Sequence, residues 1–375
     1  MLMIMDNYVK RSWVEIDQNI LKNNCRIYKR ITDKNQRIMA VIKADAYGHG
    51  DISVAKALFE EGITDFAVSN IDEACRLREL GINGEILILG YTPIDLLPQV
   101  VKYNIMQTII SEEYAEEVCK SNVDIKCQIA LDTGMNRIGL NADDVDYCIE
   151  IIRKYSKKLN VKGIFTHLCV ADSKQVDLIR FTENQIEKFD TIASALSDLK
   201  FDYVHCLNSA GGLWHKSKTN MFIRLGIVLY GLKPDYLNVL PDGISTVLEW
   251  KSVVSMVKTV YKGETIGYGR TFMAEHEMKI ATIPTGYADG YNRLLSNKGY
   301  VLINGRRANI VGRICMDQMM VDVTNINDVS MGTEVVLLGR SGNELLTADD
   351  MAQIIDTIGY EIVCNISKRV PRVYI

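Results

Sequence analysis

Short apolar runs alternate with amphipathic, helix-like segments over the first two thirds of the chain. Eight of these runs have the composition of buried parallel strands, which are apolar on both faces. They cover residues 37–43, 65–69, 85–90, 106–110, 126–131, 161–167, 203–207 and 222–226. Segments such as 53–61, 72–80 and 176–199 separate them with helical periodicity. Eight strand–helix units in succession predict an α/β fold, a (β/α)8 TIM-type barrel.

The pattern changes after about residue 243. Strand-like runs then follow one another at residues 247–260, 279–284, 300–303, 308–311, 319–323 and 334–338. Only residues 347–358 have the pattern of a helix, with Thr347 as its N-cap. This pattern predicts a C-terminal, mostly antiparallel β domain, and the two prolines within residues 233–242 indicate a linker. We therefore predict a barrel domain over residues 1–240 and a β domain over residues 241–375.

Composition restricts the class of protein. Hydrophobic residues make up 47% and charged residues 24% of the 375, the ordinary mixture of a globular protein. The net charge of -4 argues against nucleic acid or an anionic membrane as a partner. Nine cysteines occur singly, which favours a reducing, cytoplasmic location over a disulfide framework. The apolar start at residues 1–5 precedes its charges, so it does not resemble a signal peptide, and no run is long enough to span a bilayer.

Polar residues follow the predicted barrel strands at the ends where such barrels carry their chemistry. They are Lys43 and Tyr47 after the first strand, Arg137 after the fifth, His167 at the sixth, Asn208 and Ser209 after the seventh, and Arg224 within the eighth. This set suits a phosphorylated or carboxylated ligand. A metal site is not predicted, because no strand carries a His-x-His pair and carboxylates are few.

Lys43 ends an apolar run and is followed by Gly48-His49-Gly50. Burial at a strand end lowers the pKa of an amine and makes it a nucleophile toward carbonyl groups. The alternative is a lysine whose ammonium reaches solvent past the barrel rim. The glycines, which let backbone approach a ligand closely, favour the functional interpretation.

Residues 43–50, Lys-Ala-Asp-Ala-Tyr-Gly-His-Gly, closely resemble the cofactor-lysine motif of bacterial alanine racemases, which are pyridoxal-phosphate enzymes of fold type III. Further similar segments occur at residues 132–139, 208–210, 224–227, 267–271, 286–290, 312–317 and 369–372. They keep the family's order and span nearly the whole chain, so the ordered set is far more specific than any one motif.

The resemblance implies a cofactor site for pyridoxal phosphate. Lys43 would hold the cofactor as a Schiff base, His167 would flank its ring and Arg224 would face the pyridine nitrogen. The remaining cofactor contacts would come from Tyr47, Asn208, Ser209, Lys368 and the backbone amides of Gly226 and Ile227. Taken alone, His167 would be better explained as a core histidine. A strand-end ion pair is a weaker explanation of Arg224, because an arginine inside a barrel strand is costly without a specific anionic or acceptor partner. An arginine cannot accept a proton from the ring nitrogen, which makes the ring a weaker electron sink than a carboxylate partner would.

Racemisation removes a proton from one face of Cα and returns one to the other, which two bases on opposite faces accomplish most simply. The resemblance assigns these roles to Lys43 and Tyr268. A free tyrosine loses its proton near pH 10, so a nearby cation from Arg224, His167 or Arg270 would have to assist. The resemblance also implies a homodimer with shared active sites, in which Tyr268 and Met316 reach the partner's cofactor. Substrate contacts would come from Arg137, Tyr287 and the Met316 backbone amide.

Two positions depart from the family pattern. Ala130 replaces a lysine that many members carbamylate and pair with the equivalent of Arg137, and Lys368 stands where a tyrosine is common. Such changes resemble the alanine/serine racemase branch associated with vancomycin resistance, whose membrane domain has no counterpart in this chain.

The predicted activity is interconversion of L- and D-alanine, supplying D-alanine for peptidoglycan. The alternatives are a serine or broad alanine/serine racemase, a pyridoxal-phosphate decarboxylase, and a non-enzymatic pyridoxal-phosphate binding protein. Arg224 argues against the decarboxylase, since those enzymes usually pair the ring nitrogen with a carboxylate. The β domain argues against the binding protein, since those proteins consist of a barrel alone.

Overall fold

A computed structural model describes residues 11–235 and 237–375. The apolar start at residues 1–5, considered above as a targeting segment, lies outside them. All eight predicted barrel strands are present in the described residues. Their bounds are Arg37–Val41, Asp65–Val68, Glu85–Ile88, Met106–Ile109, Lys126–Asp132, Asn160–Thr166, Tyr203–His205 and Phe222–Leu225. Most of the residues in these strands are buried, as expected of parallel strands covered on both faces.

The eight strands form a nearly closed parallel barrel. Consecutive strands pair in chain order, and Phe222–Leu225 pairs back onto Arg37–Val41. The remaining seam, between Tyr203–His205 and Phe222–Leu225, is joined by a bridge between Asn208 and Arg224. The helices around the barrel are Gln18–Ile31, Asp51–Glu60, Ile71–Glu79, Leu97–Lys102, Glu112–Lys120, Val145–Ser156, Val176–Ala195 and Ser209–Trp214. The predicted TIM-type barrel is confirmed.

The C-terminal part is built mainly from antiparallel sheets, as predicted. Its longest sheet orders Arg306–Asn309, Tyr300–Ile303, Glu334–Ser341, Leu248–Val253, Ser12–Ile16 and Arg372–Tyr374, with Glu344–Leu346 as a branch on Glu334–Ser341. A second sheet pairs Met256–Val260, Met278–Ile283 and Met319–Asp322, and a small hairpin pairs Thr265–Ile266 with Phe272–Met273. The predicted helix over residues 347–358 is observed as Ala348–Ile355 and ends at Asp356, which adopts a left-handed conformation with φ of 57°. A second helix, Gly359–Cys364, follows and was not predicted.

The strand Ser12–Ile16 departs from the predicted division of the chain at residue 240. It pairs antiparallel with Leu248–Val253 and parallel with Arg372–Tyr374, so it belongs to the C-terminal sheet. The Trp250 indole N–H donates to the Ser12 hydroxyl at 2.8 Å, which adds a buried side-chain contact to this pairing. We therefore propose that the β domain includes this N-terminal strand. Among the described residues, no helix combines the length and apolar character needed to cross a bilayer.

Candidate active site

A cavity of about 450 Å³ opens at the C-terminal ends of the barrel strands. Nine of the thirteen residues singled out from the sequence line it: Lys43, Tyr47, Arg137, His167, Asn208, Ser209, Arg224, Gly226 and Ile227. Its size lies within the range of small-molecule and cofactor sites. The other four, Tyr268, Tyr287, Met316 and Lys368, are not among the residues that line it.

The first barrel strand leads into a turn of left-handed helix. Ala44, Asp45, Ala46 and Tyr47 all have φ between 52° and 55°. A left-handed conformation costs a non-glycine residue about 1–2 kcal/mol, so specific contacts must hold these four. Within the backbone, Ala46 N–H donates to Ile42 and Gly48 N–H to Ala44. This turn, which we call the lysine turn (residues 43–47), places Lys43 and Tyr47 at its two ends, both on the cavity wall.

A cradle for a phosphate lies at the closing seam of the barrel. A Cβ on Gly226 would lie 2.8 Å from the Tyr47 hydroxyl, so any side chain there would fill this space. The Ser209 hydroxyl accepts from Gly226 N–H at 2.8 Å, and Ile227 begins a short 3-10 turn. Hydroxyl groups and backbone N–H groups that meet in a concave space are suited to phosphate oxygens. The residues present therefore fit the phosphate of pyridoxal phosphate.

Arg224 is buried and held by acceptors at the ends of two neighbouring barrel strands, Asn160–Thr166 and Tyr203–His205. Its guanidinium donates to the Thr166 carbonyl at 2.6 Å, the His205 Nδ1 at 2.5 Å and the His167 Nδ1 at 3.3 Å. Because arginine only donates, both imidazole Nδ1 atoms must be unprotonated. His205 Nε2 then donates to the Gln128 side-chain oxygen at 2.7 Å. Gln128, His205 and Arg224 thus form a hydrogen-bonded row across the barrel interior.

The cavity wall is rich in cations. Burial lowers the pKa of the Lys43 amine, and the charges of Arg137 and Arg224 lower it further. Burial also lowers the pKa of Arg224, to about 10, so it stays charged at neutral pH. The pKa of His167 falls well below its usual value through burial and the neighbouring arginines, so its ring is neutral. Such a wall attracts an anionic ligand and leaves Lys43 with more unprotonated amine than a solvated lysine has.

Tyr360 is a cavity residue that the sequence reasoning missed. It lies on Gly359–Cys364 and its ring centre is 6.0 Å from that of Tyr47. Lys368, predicted from the sequence as a cofactor contact, is exposed in a turn eight positions further along the chain and does not line the cavity. The segment that reaches the cavity from this part of the chain is the helix Gly359–Cys364, through Tyr360. No local sequence feature marks Tyr360, because its place in the cavity depends on how the helix Gly359–Cys364 packs.

Three predicted residues lie together on the β domain and are exposed. The exposed fractions are 69% for Tyr268, 42% for Tyr287 and 54% for Met316, which is high for such large side chains. Their loops touch each other, since a Cβ on Gly267, next to Tyr268, would lie 3.2 Å from the Arg313 backbone nitrogen of the Met316 loop. A Cβ on Gly286 would lie 2.3 Å from the Cys315 carbonyl oxygen, and Tyr287 N–H donates to that same oxygen. The structure therefore gathers these residues, apart from the cavity of the same chain.

Asp289 anchors these loops. Its side chain is fully buried and receives Arg11 at 3.1 and 3.0 Å, Arg369 at 2.7 Å and Gly286 N–H at 2.9 Å. Arg369 also binds Asp317, the residue after Met316, at 2.6 Å. Burial alone would raise the pKa of Asp289, but the hydrogen bonds from Arg369, Gly286 and Arg11 lower it overall.

We expect Asp289→Asn to lower the free energy of unfolding by about 2–3 kcal/mol at pH 7. Breaking a fully buried ion pair costs ~3–5 kcal/mol. The expected loss is smaller here because both arginine side chains are partly exposed. A lowered carboxyl pKa stabilises the fold above the unfolded value near 3.9, and that contribution is lost as the pH falls through the folded pKa. Urea unfolding from pH 7 to pH 3 should therefore show the difference shrinking below about pH 4. Asp328→Asn, the same change at an exposed position, is the control; equal effects of the two variants would contradict the anchoring role.

Family profiles account for most of the chain. The profile described as "Alanine racemase, N-terminal domain" matches residues 16–234, and "Alanine racemase, C-terminal domain" matches residues 247–374. Alanine racemase 1 of Clostridium acetobutylicum is 41% identical and covers 99% of this chain and 97% of its own length. The alanine racemase of Halothermothrix orenii is 42% identical, with coverages of 97% and 96%.

Solved structures agree with these relatives. The alanine racemase of E. faecalis superposes with a TM-score of 0.90 at 34% identity and covers 98% of this chain and 99% of its own. That of Bacillus anthracis, solved with bound L-Ala-P, has a TM-score of 0.89 at 35% identity, with coverages of 98% and 95%. Sequence and fold are thus shared over their whole extent, and the chain belongs to the alanine racemase family.

Proposed function

We propose that this chain interconverts L- and D-alanine, with pyridoxal phosphate bound in the barrel cavity. The main support for the proposal is that nine of the residues predicted from the family motifs line one cavity. The chain is also about 40% identical to alanine racemases over nearly its full length. The relatives reported above give no support to a serine racemase, a decarboxylase or a non-enzymatic binding protein in preference to this activity.

The cofactor would be held at three places. Tyr47, Ser209 and the backbone amides of Gly226 and Ile227 would bind its phosphate, and Asn208 would support this wall through the barrel seam. Lys43 would bind its aldehyde carbon, and neutral His167 would flank its ring. When bound, pyridoxal phosphate supplies an electron-withdrawing ring that stabilises the negative charge left on the substrate Cα after its proton leaves.

Arg224 would tune the site without transferring a proton. Its guanidinium is charged at neutral pH and is already committed to acceptors on the barrel. It would therefore offer the ring nitrogen a hydrogen-bond donor whose proton stays on arginine. The negative charge is then less widely delocalised than beside a carboxylate, which favours prompt return of the proton over transamination.

Proton transfer would use two residues on opposite faces of Cα. Lys43 Nζ, once free of the cofactor, accepts or donates the proton on one face, and the lowered pKa of this amine makes it available as a base near neutral pH. Tyr268 Oη does the same on the other face. Because Tyr268 is exposed and outside the cavity of its own chain, we propose that it acts in the site of a second copy, in an isologous homodimer.

The substrate would be oriented by charge and by the walls that the dimer completes. Arg137 lines the cavity and would bind the substrate carboxylate, and Ala130, where many relatives would carry a carbamylated lysine, lines the same cavity. Tyr287 and the Met316 backbone amide of the second copy would close the pocket, consistent with their exposure in the single chain. A cytoplasmic location, where D-alanine would enter peptidoglycan synthesis, is supported by nine cysteines that are all free.

The proposed activity is tested by incubating cofactor-loaded protein with L-alanine and, separately, L-serine, with chiral detection of the products. We expect D-alanine to form, with kcat/KM for alanine at least about tenfold above that for serine; larger ratios are not required, since apolar pockets discriminate weakly between a methyl and a hydroxymethyl group. A higher value for serine would assign the chain to serine racemisation. Release of carbon dioxide without racemisation would indicate a decarboxylase.

A further inference from the structure

His49 is a fully buried histidine next to the lysine turn, and the mechanism above does not use it. Its Nδ1 lies 3.0 Å from the carbonyl oxygen of Ala46 and 2.9 Å from that of Tyr47. Carbonyl oxygens only accept, so Nδ1 carries the imidazole hydrogen. Burial lowers the pKa of His49 to about 4, which keeps the ring neutral. The tautomer is therefore fixed by the two carbonyl groups.

The opposite edge of the His49 ring, which carries Nε2, points toward the β domain. Its Nε2 is buried and has no hydrogen-bond partner within the described residues. The ring lines a cavity of about 10 Å³ between the barrel and residues such as Leu338, Gly339 and Ala348. That volume is near the lower limit for one water molecule. The ring also packs on Tyr230 at 4.5 Å, and Tyr230 in turn packs on Tyr47 at 5.1 Å.

The two carbonyl groups that His49 binds belong to the C-terminal half of the lysine turn. The backbone of both Ala46 and Tyr47 is in the left-handed conformation. This conformation is unfavourable for residues with a Cβ unless other contacts stabilise it. The opposite end is held separately, since Glu73 accepts from the Ala44 N–H at 2.8 Å. Without the Nδ1–H, the Tyr47 carbonyl would lose its donor beneath the cavity wall. The Tyr47 hydroxyl would then no longer be fixed relative to the Lys43 amine.

We propose that His49 is a positioning residue, whose Nδ1–H holds the Ala46 and Tyr47 carbonyls and thereby sets the spacing between the cofactor amine and the phosphate-binding phenol. The inference rests on the proposed function, because it assigns those two roles to Lys43 and Tyr47. It makes His49 a link between the β domain and the cofactor cavity, since its ring borders β-domain residues on one side and packs on Tyr230, which contacts Tyr47 of the cavity wall.

Matched amides test this role. In His49→Asn the side-chain N–H occupies the place of Nδ1, whereas in His49→Gln it occupies the place of Nε2. We expect the affinity of the apoprotein for pyridoxal phosphate to fall about tenfold in His49→Gln and to stay within about threefold of wild type in His49→Asn, the scale of one buried hydrogen bond. Titration by absorbance, borohydride trapping of the cofactor on Lys43, and melting temperature are measured together. His276→Gln, at an exposed histidine, is the control.

Equal affinities in the two variants, whether both normal or both weak, would overturn the inference, because the position of the donor would then not matter. Where His49→Gln does not fold, Ala46→Gly is added, since glycine adopts the left-handed conformation without penalty. Recovery of folded protein and of cofactor affinity supports the role, and a double variant that stays unfolded overturns it. Wild-type protein that fails to bind pyridoxal phosphate or to racemise alanine would instead refute the proposed function, whatever the variants do.

Discussion

Replacing Lys43 with alanine is expected to lower kcat for alanine racemisation by at least about 10⁴-fold and to abolish covalent attachment of pyridoxal phosphate. The reason is that one amine performs two tasks, binding the cofactor and exchanging a proton with the substrate. The rest of the cavity would remain, because the phosphate cradle and the Arg224 row do not involve the Lys43 side chain. The variant should therefore still bind the cofactor non-covalently, with no lysine adduct.

The measurement is borohydride reduction followed by peptide mass mapping, alongside a chiral rate assay. Lys56→Ala, at an exposed helix position, is the matched control and should behave as wild type. An adduct that appears on a different lysine of the Lys43→Ala variant, together with residual activity within about tenfold of wild type, would show that another amine holds the cofactor.

The barrel could be predicted from the sequence because buried parallel strands appear in it as short apolar runs. Each of the eight apolar runs is close to the length of an observed strand, and the residues after them line one cavity because barrel strands all point the same way. The position of Ser12–Ile16 in the C-terminal sheet could not be predicted from the sequence. Its apolar positions indicate a strand, but its partner Leu248–Val253 lies more than two hundred residues away, and no local pattern specifies that pairing.

In the candidate site, too, some features depend on contacts between residues that are distant in the sequence, and these could not be predicted. Residues 43–47 have no sequence feature that demands a left-handed turn, because alanine and aspartate usually adopt right-handed conformations; the turn depends on His49, Glu73 and surrounding backbone. Tyr360 enters the cavity only because a short helix of the β domain packs there. The role proposed for Tyr268 would depend on a second copy of the chain, which neither the hydrophobic periodicity nor the structure of a single chain describes.

Replacing Tyr268 with phenylalanine is expected to lower kcat by about 10²–10⁴-fold while leaving covalent cofactor attachment to Lys43 intact. The substitution removes only the hydroxyl at an exposed position, so stability and cofactor affinity should change little. Loss of one base should also block exchange of the Cα proton with solvent on one face. Exchange measured by NMR in deuterium oxide, starting from L-alanine and then from D-alanine, should be unequally affected. Tyr261→Phe, another exposed tyrosine of the β domain, is the control.

The proposed dimer can be tested directly, because Lys43 and Tyr268 of one working site would come from different copies of the chain. Unfolding and refolding an equimolar mixture of Lys43→Ala and Tyr268→Phe proteins should create heterodimers with one intact site and one doubly altered site. With random pairing, half the dimers are mixed and half of their sites work, so activity should recover to about a quarter of wild type per site. If both residues instead acted within one chain, every site would carry one defect and the mixture would stay inactive. Recovery on mixing therefore distinguishes a shared site from two independent ones, and its absence would refute the assignment of Tyr268 to the partner's cavity.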